Sequence, residues 1–177
     1  IILVQAAGGL PGELHKLWRA GEPGSYHMDY GFSTMGYEIA AGLGVKMARP
    51  DKEIVVPVGD GSYMMLNSEI ATSVMLGLKF TIVVLDNGHF GETGMQRSHS
   101  SLGADLVAVA KGFGIADSFS VNSTDACEDI AQGINARKQT TFVQVFIDAN
   151  QPPRMLPPRD GPYIKNRFRA ALGLTPF

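Results

Sequence analysis

Two residues 27 positions apart carry the most specific chemistry in the sequence. Asp60 lies in "VGDGSY", directly after the apolar run "EIVVPV" at 53–58. Asn87 lies in "LDNGHF", directly after "FTIVVL" at 80–85. If both runs are strands of one open α/β sheet, their carboxyl ends form the rim where such sheets collect ligands. A carboxylate and an amide oxygen on that rim suit Mg²⁺, a hard ion that takes one or two protein ligands and completes its octahedron with phosphate oxygens and water. A main-chain carbonyl just past the Asn-Gly turn, at His89, supplies a third oxygen. Gly59 and Gly61 let main-chain N–H groups approach a phosphate with no Cβ in the way. Ser62 falls at the expected start of a helix, where N–H groups and dipole favour an anion. Each motif alone is also an ordinary turn. Together, at this spacing and on two predicted strand ends, they read as a magnesium–diphosphate cradle.

The surrounding pattern predicts the elements that hold this cradle. Strands are expected at 1–5, 53–58, 80–86 and 141–148, with a weaker one at 117–121. They are rich in Val, Ile and Phe, and the middle ones are almost continuously apolar, as strands covered on both faces are. Helices are expected at about 10–20, 34–48, 66–78, 103–112 and 124–138, the last capped by Ser123 or Thr124. The small residues of "TMGYEIAAGLGVKMA" at 34–48 imply that something packs closely against that helix. Alternating strands and helices give right-handed βαβ crossovers. The expected fold is a three-layer α/β/α sandwich around a mainly parallel sheet, occupying residues 1–150. Prolines 152, 153, 157, 158 and 162 then stop regular structure. Residues 151–177 are expected to be a proline-rich linker and a short amphipathic helix at 163–174. The chain opens at Ile1 inside a strand, so sequence upstream of it is expected.

Bulk properties exclude several classes. The 177 residues are 45% apolar and 18% charged, with net charge −2, as in an ordinary globular domain. No basic block supports nucleic-acid binding. The apolar runs are far shorter than the roughly 20 residues of a membrane helix. The single cysteine, Cys127, rules out an internal disulfide and fits a reducing, cytoplasmic setting. His15 and His27 are isolated and read as structural.

"GDGS" followed by "LDNG" resembles the diphosphate-binding motif of thiamine diphosphate-dependent enzymes. The resemblance implies that Asp60, the Asn87 side chain and the His89 carbonyl ligate Mg²⁺. It also gives meaning to "FSTMG" at 32–36. Carried over by position, the Ser33 carbonyl receives the cofactor's aminopyrimidine, and Met35 is the apolar wedge that holds the cofactor bent. Ser33 stands where glycine is common in the family. In the family a glutamate that activates the pyrimidine comes from a separate pyrimidine-binding domain, usually on a partner subunit. An oligomer, homo- or hetero-, is therefore implied. No carboxylate of this chain lies in the motif of that glutamate. Glu38, Glu69 and Glu92 read as helix-surface or loop carboxylates.

Two resemblances bear on substrate. Residues 6–90, including "AAGGLPGELHKLWR" and "YHMDYGFSTMGYEIAAGLGVKMARPDKE", resemble the trihydroxycyclohexanedione hydrolases of inositol catabolism, which implies hydrolysis of a C–C bond in a cyclic dione. From Gly91 onward, "ETGMQRSHS", "DLVAVAKGFGI" and "PPRDGPYIKNRFRAALG" resemble 2-oxo-acid decarboxylases of the phosphonopyruvate and sulfopyruvate type, which are lyases. The loop "GHFGETGMQRSHSS" at 88–101 lies where substrate would approach the cofactor. Glu92, Gln96 and Arg97 are its candidate substrate residues, with His89 and His99 beside them, and Arg97 could pair with a carboxylate. A solvated loop is the alternative reading. A non-catalytic diphosphate-binding module remains the alternative of another class.

Overall fold

A computed structural model describes residues 1–6, 8–29, 31–150, 153 and 158–176. Most of the expected proline linker, at 151, 152 and 154–157, lies outside these.

The chain alternates strands and helices from its first residues. In order they are β1 (Ile2–Gln5), α1 (Gly9–Leu17), β2 (Tyr26–Met28), α2 (Tyr37–Ala48), β3 (Ile54–Gly59), α3 (Asp60–Met65), α4 (Glu69–Met75), β4 (Thr81–Asp86), β5 (His89–Phe90), β6 (Gln96–Arg97), α5 (Leu106–Gly112), β7 (Asp117–Val121), α6 (Thr124–Gly133), β8 (Thr141–Phe146) and α7 (Gly161–Ala171). Six strands form one sheet in the order β2-β1-β3-β4-β8-β7, every pair parallel. This is the α/β architecture the sequence predicts, a parallel sheet with flanking helices.

One face of the sheet carries the main apolar cluster. Val56 and Val58 of β3, Ile82 and Val84 of β4 and Phe142 of β8 meet Ile39 of α2, Ile70 of α4 and Leu106 of α5 in one buried cluster. The closest approach is at α2: a Cβ on Gly42 would lie 2.3 Å from Val56 Cγ2. The small residues of this helix therefore allow it to sit directly on β3, which fixes α2 and the turn before it relative to the strand that ends at Asp60. Strands β3 and β4 are neighbours, with Gly59 opposite Leu85, so Asp60 and Asp86 leave the sheet side by side.

Four local features differ from the sequence expectation. Of the helix expected at 66–78, Glu69–Met75 is helical as α4, and a separate short helix, α3, precedes it, parted from it at Leu66, whose φ of −150° and ψ of 81° are not helical. Asn67 and Ser68 follow, residues whose side chains compete with helical backbone bonds. The edge strand β2 was not expected, because three half-exposed residues after a Pro-Gly turn show no legible alternation. The loop at 88–101 is partly ordered, β5 and β6 forming a two-residue antiparallel ladder. The helix expected at 124–138 ends at Gly133 and passes into a 3₁₀ turn over Ile134–Ala136. Its cap is Ser123, which accepts a bond from Ala126 N.

Candidate functional site

The centre of the site is a pair of buried carboxylates at the ends of β3 and β4. Asp60 is 2% exposed and Asp86 4%. Ser100 Oγ stands 3.0 Å from Asp60 Oδ2 and 2.7 Å from Asp86 Oδ1, so one hydroxyl lies between them. Asp60 also accepts a short bond from the Ser98 hydroxyl. Asp86 further accepts from Gly88 N at 2.9 Å and from Gln144 Nε2 at 2.6 Å. Burial pushes the Asp60 carboxyl above the ordinary range, the charge on Asp86 adds to the rise, and the Ser98 and Ser100 hydroxyls oppose it. Neither aspartate belongs to an ion pair among the described residues. A buried acidic pair held only by neutral donors is an arrangement that a cation stabilises.

Asn87 follows Asp86 in a turn that its own side chain closes. Asn87 Oδ1 accepts from His89 N at 2.9 Å, and His89 Nδ1 lies 2.8 Å from the Asn87 carbonyl. An amide oxygen has a second lone pair, so this Asx turn orients Asn87 without exhausting it. The donor set of one carboxylate, one amide and one main-chain carbonyl fits Mg²⁺. No group of three or more His, Cys, Asp or Glu side chains suited to a metal occurs among the described residues.

The glycines divide. A Cβ on Gly59 would meet nothing within 4 Å, whereas one on Gly61 would lie 2.2 Å from Phe90 Cε1. Gly61 thus makes room for an aromatic ring, and the open approach is at Gly59. Ser62 is the third residue of α3, and its hydroxyl turns to Glu38 and Gly36.

Ser33 and Met35 lie in the turn before α2. Ser33 has φ +51°, in the left-handed region that glycine prefers. Thr34 N bonds Asp29 Oδ2 at 3.1 Å, and hydrogen bonding from the Thr34 side chain, then from its main chain, holds the Asp29 carboxyl below its usual range. Met35 is half-buried in the turn itself, ahead of the helix. Phe32, beside it, is 93% exposed, and Met65 and Leu66 are exposed as well.

Glu38 corrects the sequence reading. It is not a helix-surface carboxylate: it is 1% exposed and bonded to Gly36 N and the Ser62 hydroxyl. Glu69 is half-buried and Glu92 exposed.

In the loop at 88–101, Arg97 is exposed, and its guanidinium bonds the Ser101 hydroxyl and carbonyl. Gln96 bonds Thr93 at 2.8 Å through both its amide oxygen and nitrogen. Glu92 reaches toward α1, its Oε1 lying 3.3 Å from where a Gly9 Cβ would be. These three candidate substrate residues are thus spread along the loop. The residues that the loop sends into the acidic pair are Ser98 and Ser100, which sequence reasoning did not single out. His15 packs its ring 5.7 Å from that of Tyr26, and His27 Nε2 lies 2.9 Å from the Gly24 carbonyl, both local structural contacts. An open polar cavity of about 620 Å³ borders Asp86 and Ser100 on the side of β8 and β7, with Asp105, Lys111, Ser118 and Gln144 in its wall.

Comparison with solved structures defines the class of fold. The chain superposes on benzoylformate decarboxylase from Polynucleobacter necessarius with a TM-score of 0.76 at 20% identity, covering 87% of this chain and 31% of that one. It superposes on a thiamine diphosphate-dependent 4-hydroxybenzoylformate decarboxylase from Rhodococcus jostii RHA1 with a TM-score of 0.73 at 18% identity, covering 85% and 30%. At these identities the likeness concerns the fold alone.

Residues 6–145 match the family described as thiamine pyrophosphate enzyme, C-terminal TPP binding domain, and the chain belongs to that family. Among curated relatives, a 3D-(3,5/4)-trihydroxycyclohexane-1,2-dione hydrolase of Bacillus thuringiensis (strain Al Hakam) is 36% identical, over 88% of this chain and 27% of its own length. A protein of the same name from Bacillus velezensis is 33% identical, over 82% and 25%. The chain therefore spans about a quarter of these relatives. No helix among the described residues is long and apolar enough to cross a membrane.

Proposed function

We propose that this chain is the diphosphate- and Mg²⁺-binding domain of a thiamine diphosphate-dependent enzyme that breaks a C–C bond next to a carbonyl. The observation that carries the reading is the buried Asp60–Asp86 pair beside the Asn87 turn, on neighbouring strand ends. Asp60, Asn87 Oδ1 and the His89 carbonyl hold Mg²⁺, and the main chain at Gly59 faces the diphosphate. Gly61 and Ser62 complete that cradle from α3. The Ser33 carbonyl and the Met35 side chain meet the ring end. When bound, the cofactor supplies a nucleophilic carbon that stabilises negative charge next to a carbonyl. The chain's own part is to position it. A pyrimidine-binding domain or subunit supplies the activating glutamate, within an oligomer, and the exposed Phe32, Met65 and Leu66 support a covering partner. Residues 1–150 form the cofactor-binding unit, with 151–177 as a tail. The single thiol, Cys127, supports a cytoplasmic setting.

Hydrolytic ring opening of a cyclic trihydroxydione, a step of inositol catabolism, is the reading that the two Bacillus relatives support. Decarboxylation of a phosphono- or sulfo-substituted 2-oxo acid is the second, favoured by the exposed guanidinium of Arg97 in the loop at 88–101. The complete protein carrying this chain is offered both substrates. Ring opening without CO₂ release supports the first. CO₂ release, with a raised KM in Arg97→Ala, supports the second. Met35→Ala should reduce turnover far more than cofactor affinity, since misplacement at the reacting carbon can lower rates on the order of 100-fold. Turnover of neither substrate contradicts both assignments.

A further inference from the structure

We infer that Glu38 is a positioning residue that fixes the ring-side turn against the diphosphate-side helix, and so sets the distance between the two halves of the cofactor site. The inference rests on the thiamine diphosphate reading above.

The geometry is a three-membered knot. Gly36 N donates to Glu38 Oε2 at 3.0 Å and lies 2.8 Å from Ser62 Oγ. The Ser62 hydroxyl lies 2.9 Å from both carboxylate oxygens of Glu38, to which it donates. Gly36 closes the turn that carries Ser33 and Met35. Ser62 lies two residues after Asp60 in α3. Glu38 itself belongs to the first turn of α2, where the helix dipole favours a carboxylate. That helix is seated on the sheet through Ile39 and Gly42. One buried side chain therefore joins the turn, the metal-side helix and the core. Gly36 adds a steric stop: at φ +88° a Cβ there would lie 2.8 Å from Leu66 Cβ.

A buried carboxylate is costly unless its oxygens are satisfied. An apolar side chain would fill this place without that penalty but could tie nothing together. Glutamine is not equivalent: its oxygen can still accept from Gly36 N–H, but its NH₂ group can only donate to Ser62 Oγ, so the charge is lost and two acceptor oxygens become one.

The test uses the complete protein with Glu38→Gln and, separately, Glu38→Met, both close to the parent in volume. Two ligands are titrated with Mg²⁺: thiamine diphosphate, which spans both halves, and inorganic diphosphate, which occupies one. A group that sets the spacing should weaken the whole cofactor on the order of 10-fold, as outer-sphere groups do, while inorganic diphosphate binds as in the parent. In the cofactor-free protein, amide hydrogen exchange at Gly36 should accelerate in both variants. Equal losses for the two ligands would reveal a general folding defect, and no loss, or unchanged exchange at Gly36, an idle contact; either overturns the inference alone. A parent that does not bind thiamine diphosphate overturns the functional reading and this inference with it.

Discussion

Asp60 and Asp86, on neighbouring parallel strands, face one another across a single hydroxyl, that of Ser100. Burial raises the Asp60 carboxyl above its ordinary range, and the charge of the neighbouring Asp86 adds to the rise. The folded metal-free protein therefore holds the Asp60 proton more tightly than the unfolded chain does. Where the folded state binds more protons, stability falls as pH rises, here from the ordinary aspartate range up through the raised value. Asp60→Asn should accordingly raise the melting temperature of the metal-free protein at neutral pH, and the gain should vanish at acid pH. The same variant should lose the stabilisation that Mg²⁺ with thiamine diphosphate gives the parent. Thermal melts across pH, with and without ligands, check both signs. A metal-free variant melting below the parent at neutral pH would contradict the acidic-pair reading.

Ser100→Ala removes the hydroxyl between the two acids. The acids then lose the one proton that this hydroxyl supplies between them while staying buried, which should destabilise the metal-free protein by about 1–3 kcal/mol. Mg²⁺ affinity should fall about 10–100-fold, the usual effect of losing a group that orients a ligand. Urea unfolding and Mg²⁺ titration measure the two effects separately.

Gly61→Ala places a methyl group 2.2 Å from the Phe90 ring. Overpacking of this kind costs about 1–3 kcal/mol. The ring belongs to the loop that carries Ser98 and Ser100, so the loop should shift and Mg²⁺-dependent binding weaken. Adding Phe90→Leu should recover part of the stability, giving a non-additive double-mutant cycle. Additive losses would show that the two residues do not meet.

Tyr63 is fully buried with its ring 5.1 Å from that of Phe142, and its hydroxyl has no hydrogen-bond partner among the described residues. Tyr63→Phe keeps the packing and removes an unsatisfied polar atom, so it should be neutral or stabilising by up to ~1 kcal/mol. Equilibrium unfolding decides it. A clear destabilisation would mean that the hydroxyl has a partner in the assembled protein.

The parts of this molecule that were legible in its sequence are those that depend on neighbours along the chain. Strands β3 and β4 announce themselves as apolar runs bounded by turn residues. Asp60 and Asn87 could then be placed together, since consecutive βαβ units set strands side by side. Ser98 and Ser100 carry no such signal. They reach Asp60 from 38 and 40 residues away, through a loop with no period to read. Glu38 was misread for a related reason: a charged residue in a helical pattern looks solvated until its partner, 24 residues on at Ser62, is known. The extent of α3 was not legible because its six residues are too few to show a helical period.

The most direct measurement is calorimetric titration of the complete protein with thiamine diphosphate and, separately, with ATP, each with and without Mg²⁺. Saturable binding of thiamine diphosphate that requires Mg²⁺, absent for ATP and lost in Asp60→Ala, is the expected result. Equal binding of ATP, binding indifferent to Mg²⁺, or an Asp60→Ala protein that binds thiamine diphosphate as tightly as the parent would contradict a magnesium–diphosphate site at Asp60 and Asn87.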